Sequence, residues 1–299
     1  MKLSRRHHYL SQMYLRGFAD KSDQVWVYNR QNSLYTRQGV INTAVIKDFN
    51  MINSPEGQKS DEIERFIADV ESSTKPILER FDKGDLTLQG EDRANLALFV
   101  GLLATRTPAF DKRYRSYEEK VGRMQMKGTT STVAAAEEML RGFERATGTD
   151  MSDVTAQEMY ENIRDDNYEV EIPRQNSIKA MMELALEITQ AVDKMNWGVT
   201  SAPQGTAFVT CDNPVTVLRP SSLANDKHFG MLTPGAWTFL PLSERTMLSF
   251  RDFGGLTMAV PGDVDFVEHS NLLVAANSEQ YVIAREEPLL RRVVSEIIV

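Results

Sequence analysis

Two adjacent histidines, His7 and His8, make up half of the four in the chain. They sit in a run from Ser4 to Phe18 that also holds Arg5, Arg6, Arg16, Tyr9 and Tyr14. An imidazole titrates near neutrality, so either ring can act as a general base or a metal ligand. Neighbouring residues point apart in a helix and in a strand, so a single site takes only one of them. In a helical frame His8 lies beside Gln12, which makes His8 the candidate and Gln12 a positioning group. The plain alternative is a histidine bonded to backbone that orders the N-terminus.

Asp212-Asn213-Pro214 follows an apolar β-type run. Loops at strand ends, held by a rigid scaffold, commonly carry reactive groups. Asp212 is a candidate base or metal ligand, with Asn213 beside it as a binding group. Asp and Asn before proline are equally ordinary turn formers, bonding nearby backbone N–H groups. Arg106 closes a strongly apolar run. Its planar guanidinium can clamp a phosphate or carboxylate in two-pronged fashion, bond the last helix carbonyls, or pair with an acid such as Asp212. His8, Arg106 and Asp212 together imply hydrolysis of an anionic substrate, including a phosphodiester. His8 and Asp212 would be the ligands of any divalent metal. The competing reading is a non-catalytic binding or regulatory protein whose His, Arg and Asp side chains form a structural polar network.

Two small basic clusters, Arg5/Arg6/Arg16 and Lys112/Arg113/Arg115, are interleaved with tyrosines. They raise nucleic acid as a partner, through phosphate contacts and base stacking. Against that stand a net charge of -8 and the ordinary use of such clusters as solvated faces. A small anionic ligand and a protein partner remain the other options. There is no phosphate-binding glycine loop, dinucleotide fingerprint, zinc-protease helix, paired CxxC or nucleophile elbow. The single cysteine, Cys211, excludes an intrachain disulfide and fits a reducing, cytoplasmic setting. No apolar run approaches the length needed to span a bilayer.

The elements that must position these residues change character along the chain. A short helix is expected from Ser11, with Leu10, Met13, Tyr14 and Phe18 as anchors. Residues 25–28 and 33–36 read as a hairpin, and Asn53 to Gly57 as a loop. From Ser60 to about Asn196 the period is helical. Pro76 is expected to kink or split the first of these helices. The run from Glu91 to Thr105 is apolar on nearly every side, as in a central buried helix. Gly148 stops a later helix, and Thr155 to Glu158 is a capping box. After Trp197 the period drops to two. Residues 197–200 and 207–210 read as a hairpin, followed by strands at 214–218, 237–240 and 246–250. A long loop is expected at 220–235, helix from Val264 to Ile283, and a last helix opened by Pro288. His228 and His269 stand alone and read as structural. The expected class is α+β: a small, mostly antiparallel sheet from the N- and C-terminal parts, packed with a large helical middle. The chain reads as one domain over 1–299, with 60–196 as a helical insertion or subdomain.

Three segments, in order, resemble a known family. The run from His7 to Phe18, HHYLSQMYLRGF, is similar to the HHYVPQFYLRGF opening of domain-of-unknown-function family 4238. Thr105-Arg106-Thr107-Pro108 resembles its RTP helix end. Phe208 to Val215 resembles its FITSDNPV strand and turn, with Cys211 where serine is common and, in the opening, Ser11 where proline is usual. Pro241-Leu242-Ser243 and Asn271 match further family positions. The resemblance implies no established reaction. The family is typical of bacteria and their mobile elements, which implies a setting in host–phage conflict.

Overall fold

The computed structural model describes residues 5–53, 59–220 and 229–297. Most of the two expected loops, at 54–57 and 221–228 (with His228), lies outside the described residues. The protein is α+β. It divides into two compact units, one of residues 1–111 and 178–299, the other of 112–177.

In the first unit the chain opens with β1 (Arg6–His8), α1 (Gln12–Arg16), β2 (Gln24–Asn29) and β3 (Leu34–Gly39). A 3-10 turn at Val40–Asn42 leads to β4 (Val45–Lys47), β5 (Ile52–Asn53), β6 (Lys59–Ser60), α2 (Glu62–Asp82) and α3 (Asp92–Thr105). Helix α4 (Pro108–Thr129) carries the chain into the second unit, which contains α5 (Val133–Thr147) and α6 (Ala156–Arg164). Helix α7 (Arg174–Asp193) returns it. Then follow β7 (Met195–Ser201), β8 (Thr210–Cys211), β9 (Thr216–Leu218), β10 (Trp237–Pro241), β11 (Thr246–Phe253) and β12 (Thr257–Pro261). Helix α8 (Val264–Ala276), β13 (Tyr281–Ala284) and α9 (Glu287–Ile297) complete it.

Two sheets organise the first unit. One has the order β12-β7-β11-β10-β9 and is antiparallel except for the parallel pair β12–β7. The other, β3-β2-β13-β8, is antiparallel and joins strands from both ends of the sequence. Two short antiparallel pairs, β1–β4 and β5–β6, lie outside them. The larger core gathers Leu10, Tyr14 and Phe18, the inner faces of α2 and α3, and Trp197, Leu248 and Phe250. A second core lies between β13 and β8 and the helices α8 and α9.

Local chemistry accounts for most of these elements. Ser11 caps α1, its hydroxyl accepting from the Tyr14 N–H. Thr155 and Glu158 form the reciprocal capping box expected for α6. Gly148 ends α5 in the left-handed conformation. Helix α3 is buried nearly all round, as its unbroken apolar composition requires. Its Gly101 permits close approach of α7: a Cβ there would run into the Ala185 carbonyl and the Thr189 hydroxyl.

Three expectations are corrected, and one strand was not expected. Residues 197–200 and 207–210 are not a hairpin, because β7 pairs with β11 and β12 while β8 pairs with β13 in the other sheet. The Pro203-Gln204-Gly205 turn changes sheets instead of reversing a strand. The helix begun at Val264 stops at Ala276, and residues 281–284 are a central strand, β13. Pro76 lies inside α2 without splitting it; Ile67, Val70, Ile77 and Phe81 stay in one core on either side of it. Strand β12 has no counterpart among the expected elements.

Gly101→Ala is expected to destabilise the protein by about 1–3 kcal/mol, the usual cost of overpacking a close helix contact. Thermal unfolding measures it, with Gly142→Ala, which meets no neighbouring atom within 4 Å, as the control that keeps or raises Tm.

Candidate functional site

The opening segment is an internal component of the protein. Strand β1 pairs with β4 in the register His7↔Ile46 and His8↔Val45, so the two imidazoles face opposite ways. His7 is fully buried. Its Nδ1 accepts from the Asn50 N–H at 2.8 Å and lies 3.6 Å from Glu64 Oε1. The Asn50 amide donates to the same Glu64 oxygen.

His8 is half-buried and hydrogen-bonded to the backbone of Ile41. Its Nε2 is buried and finds no hydrogen-bond partner among the described residues. Burial lowers the His8 pKa below its ordinary 6.5, reinforced by the nearby positive charges of Arg106 and Arg6 and opposed by the Ile41 bond and Glu64.

Arg106, only 2% exposed, ends α3 beneath the opening segment. Its Nε donates to the Tyr9 carbonyl at 3.1 Å, and a terminal nitrogen donates to Glu71 Oε1 at 3.2 Å. Its acid partner is therefore Glu71 of α2. Burial pushes the Glu71 carboxyl up, while Arg106 and the Ser11 hydroxyl pull it back. Glu64 and Glu71 stand two turns apart on one face of α2, so a single helix face supplies both acids. That spacing was the signal for Glu71 in the sequence, and it was missed.

Asp212 and Asn213 tie a different set of elements. The Asp212 carboxylate accepts from the Glu279 N–H at 3.0 Å and the Gln280 N–H at 2.7 Å. Burial raises its pKa, and the backbone donors of residues 279–281 oppose the shift. Asn213 Nδ2 donates to the Asn277 carbonyl, and Asn277 Nδ2 returns a bond to the Asn213 carbonyl. Asn271 brackets the strand entry, accepting from Val209 N–H and donating to the Ala207 carbonyl, each at 2.9 Å. Cys211 is fully buried, and burial holds its thiol well above the ordinary range.

Gln12 and Arg16 bond each other on α1, and Arg16 pairs with Asp23. Arg16 also borders a cavity of about 330 Å³ floored by Leu78, Leu242 and Ser243. Beside it, a Cβ on Gly17 would come within 3.0 Å of the Leu242 carbonyl and Ser243 Cβ, so glycine permits the contact. The Tyr14 hydroxyl lies 2.7 Å from both Thr210 Oγ1 and the Pro241 carbonyl. Arg5 pairs with Asp48, and Arg6 bonds Asn42. Lys112, Arg113 and Arg115 belong to the other compact unit.

His8 and Arg106 are thus electrostatic neighbours, whereas the oxygens of Asp212 are turned to the 279–280 backbone. Among the described residues no group of three or more His, Cys, Asp or Glu side chains is arranged to hold a metal ion. No described helix is long and apolar enough to cross a membrane.

The fold and site define an α+β protein built around an N-terminal clasp. The chain belongs to the family described as a protein of unknown function, DUF4238, whose model matches residues 6–288. No curated protein matches the chain, and no solved structure does.

Because the folded state holds the His8 pKa below 6.5, His8 favours folding above that pH. The contribution is lost as pH falls from about 6.5 through the depressed folded value. His8→Gln is expected to flatten that part of the Tm-against-pH curve. An unchanged slope between about pH 7 and 5 would contradict the burial assigned to this ring.

Proposed function

We propose that this chain is a non-catalytic binding or regulatory protein in which the motif residues form structural polar networks, His7 and Arg106 around the opening segment and Asp212 and Asn213 around the 277–281 turn. The observation that carries this reading is the Asp212 carboxylate, whose two oxygens each accept a backbone N–H from residues 279 and 280. Each oxygen keeps a second lone pair, but Asp212 is only 4% exposed, and a base or metal ligand has to reach its substrate. Arg106 is likewise engaged by a buried carbonyl and a carboxylate, so an incoming anion would have to displace both.

A second reading, hydrolysis of an anionic substrate such as a phosphodiester, rests on one observation: His8 Nε2 is unpartnered beside Arg106. In that mechanism the neutral imidazole accepts the proton of an attacking water while the guanidinium steadies the developing charge.

The two readings separate by experiment. The purified chain is incubated with bis(4-nitrophenyl) phosphate and with a labelled oligonucleotide, with and without magnesium or manganese. Release equal to that of His8→Ala is the expected outcome; turnover that disappears in His8→Ala establishes the second reading. The network reading also expects Arg106→Met to lower stability by about 3 kcal/mol, toward the lower end for breaking a buried pair by removing one partner. Thermal or denaturant unfolding reads that loss, and an unchanged midpoint would remove Arg106 from the network.

A further inference from the structure

The cavity of about 330 Å³ beside Arg16 is walled by three segments far apart in the sequence. They are α1, the C-terminal half of α2 and the turn that follows β10. Leu78 and Leu242 are buried in its floor, and half-buried Met13 adds a third apolar side chain. A methionine is flexible and polarisable, so it adapts to apolar groups of varied shape. The volume lies at the lower end of the range for small-molecule pockets.

Four charged side chains line this cavity: Arg16, Lys75, Glu79 and Asp82. Three of them have partners. Arg16 bonds Asp23 and Gln12, each at 3.1 Å, and the Lys75 ammonium lies 3.7 Å from Glu79 Oε1. Asp82 differs. One of its oxygens accepts from the Ser243 hydroxyl, the only hydrogen bond to this carboxylate among the described residues. Arg245 attracts it, but that guanidinium is spent on the carbonyls of Ala202, Pro203 and Thr206. Desolvation raises the Asp82 pKa; Ser243 and Arg245 oppose the shift and Glu79 adds to it. A carboxylate short of positive charge behaves this way. The Ser243 oxygen also accepts the Arg245 N–H at 3.1 Å, so the serine is committed on both sides and holds Asp82 in place.

We propose that this cavity binds a small primary amine with a short apolar body, its ammonium on the second oxygen of Asp82 and its chain over Leu78, Leu242 and Met13. The assignment rests on the binding reading above and gives it a ligand class. An ammonium supplies both things that Asp82 lacks, hydrogen-bond donors and a positive charge. An anion is disfavoured, because Asp82 and Glu79 stand three residues apart on one face of α2 and both cations at the cavity already have partners. A bare inorganic cation would leave the apolar floor uncovered.

Met13 reports occupancy locally. The full chain, carrying carbon-13-labelled methionine methyls, is titrated with hexylamine, and Met13→Leu assigns the Met13 resonance. Hexylamine is expected to shift that resonance saturably, with a Kd of about 1 mM, ordinary for so small a ligand. Methylamine is the charge without the body and hexanol the body without the charge. Each is expected to bind at least about tenfold more weakly. Asp82→Asn keeps an oxygen for Ser243 and removes the charge, and is expected to weaken hexylamine at least about tenfold. Loose attraction of amines to an acidic chain does not saturate. The proposal is overturned by a Met13 resonance that stays still or never saturates, by methylamine or hexanol binding as tightly as hexylamine, or by undiminished affinity in folded Asp82→Asn. If that variant does not fold, the three probes on the wild type decide. The two readings fail separately: turnover lost in His8→Ala removes the non-catalytic reading without touching the Met13 titration, and an unmoved Met13 resonance removes the amine site without any turnover.

Discussion

A buried chain segment keeps its backbone polar groups, and each must find a partner or cost about 1–3 kcal/mol. That constraint governs this protein, because residues 7–18 run through its interior. The Tyr9 N–H is met by the Ala44 carbonyl, and the Tyr9 carbonyl by Arg106 from the end of α3. The Gly17 carbonyl is met by the Glu244 N–H. The Tyr14 ring packs on Phe18 and Phe99 while its hydroxyl reaches the Thr210 side chain and the Pro241 carbonyl. Each tie comes from a different part of the chain. The opening segment thus acts as the bound ligand of its own fold.

A second set of ties follows the same logic at the other end. Strand β8 is only two residues long, and the chain on either side of it lacks full ladder partners. Asn271 on α8 imitates a neighbouring strand, accepting from Val209 N–H and donating to the Ala207 carbonyl, and Asn277 after α8 donates to the Asn213 and Val215 carbonyls. Asp212 does the equivalent for the approach to β13, whose backbone N–H groups would otherwise point at a buried turn. An asparagine suits the first role because one side chain carries both a donor and an acceptor. A carboxylate suits the second because two donors converge on it.

The helical framework was legible because its signals are local. Apolar period, the Thr155–Glu158 box and Gly148 act within a few residues, and the N-terminal anchors Leu10, Tyr14 and Phe18 declared themselves by size and spacing. The strands were harder. Val282, Ile283 and Ala284 look like a helix continuation in an apolar run, and only pairing with β2 and β8 makes them a strand. Residues 207–210 have the right alternation for a hairpin, yet the partner of β8 is seventy residues on. Such choices are made by tertiary pairing, which periodicity does not encode. In the site, the expected trio of His8, Arg106 and Asp212 includes two electrostatic neighbours, His8 and Arg106, while Glu71 was hidden among the other acids of an amphipathic helix. Asp212 showed its turn chemistry in Asp-Asn-Pro, and the loop that receives it, 279–281, carries no motif.

What the motif residues do inside the protein bears on where its outward chemistry can lie. His7, Arg106, Asp212, Asn213 and Asn271 are committed to bonds within the fold and are all buried. Two features escape that commitment. One is the Nε2 of His8, which is buried and has no hydrogen-bond partner among the described residues. The other is the exposed strand β12, which pairs with β7 and is bonded at Thr257 by the Arg93 guanidinium. They differ in kind: the first is one ring nitrogen within a crowded polar cluster, and the second is a strand at the end of a sheet. An unsatisfied buried atom at the centre of a network costs stability, which the surrounding polar ties have to offset.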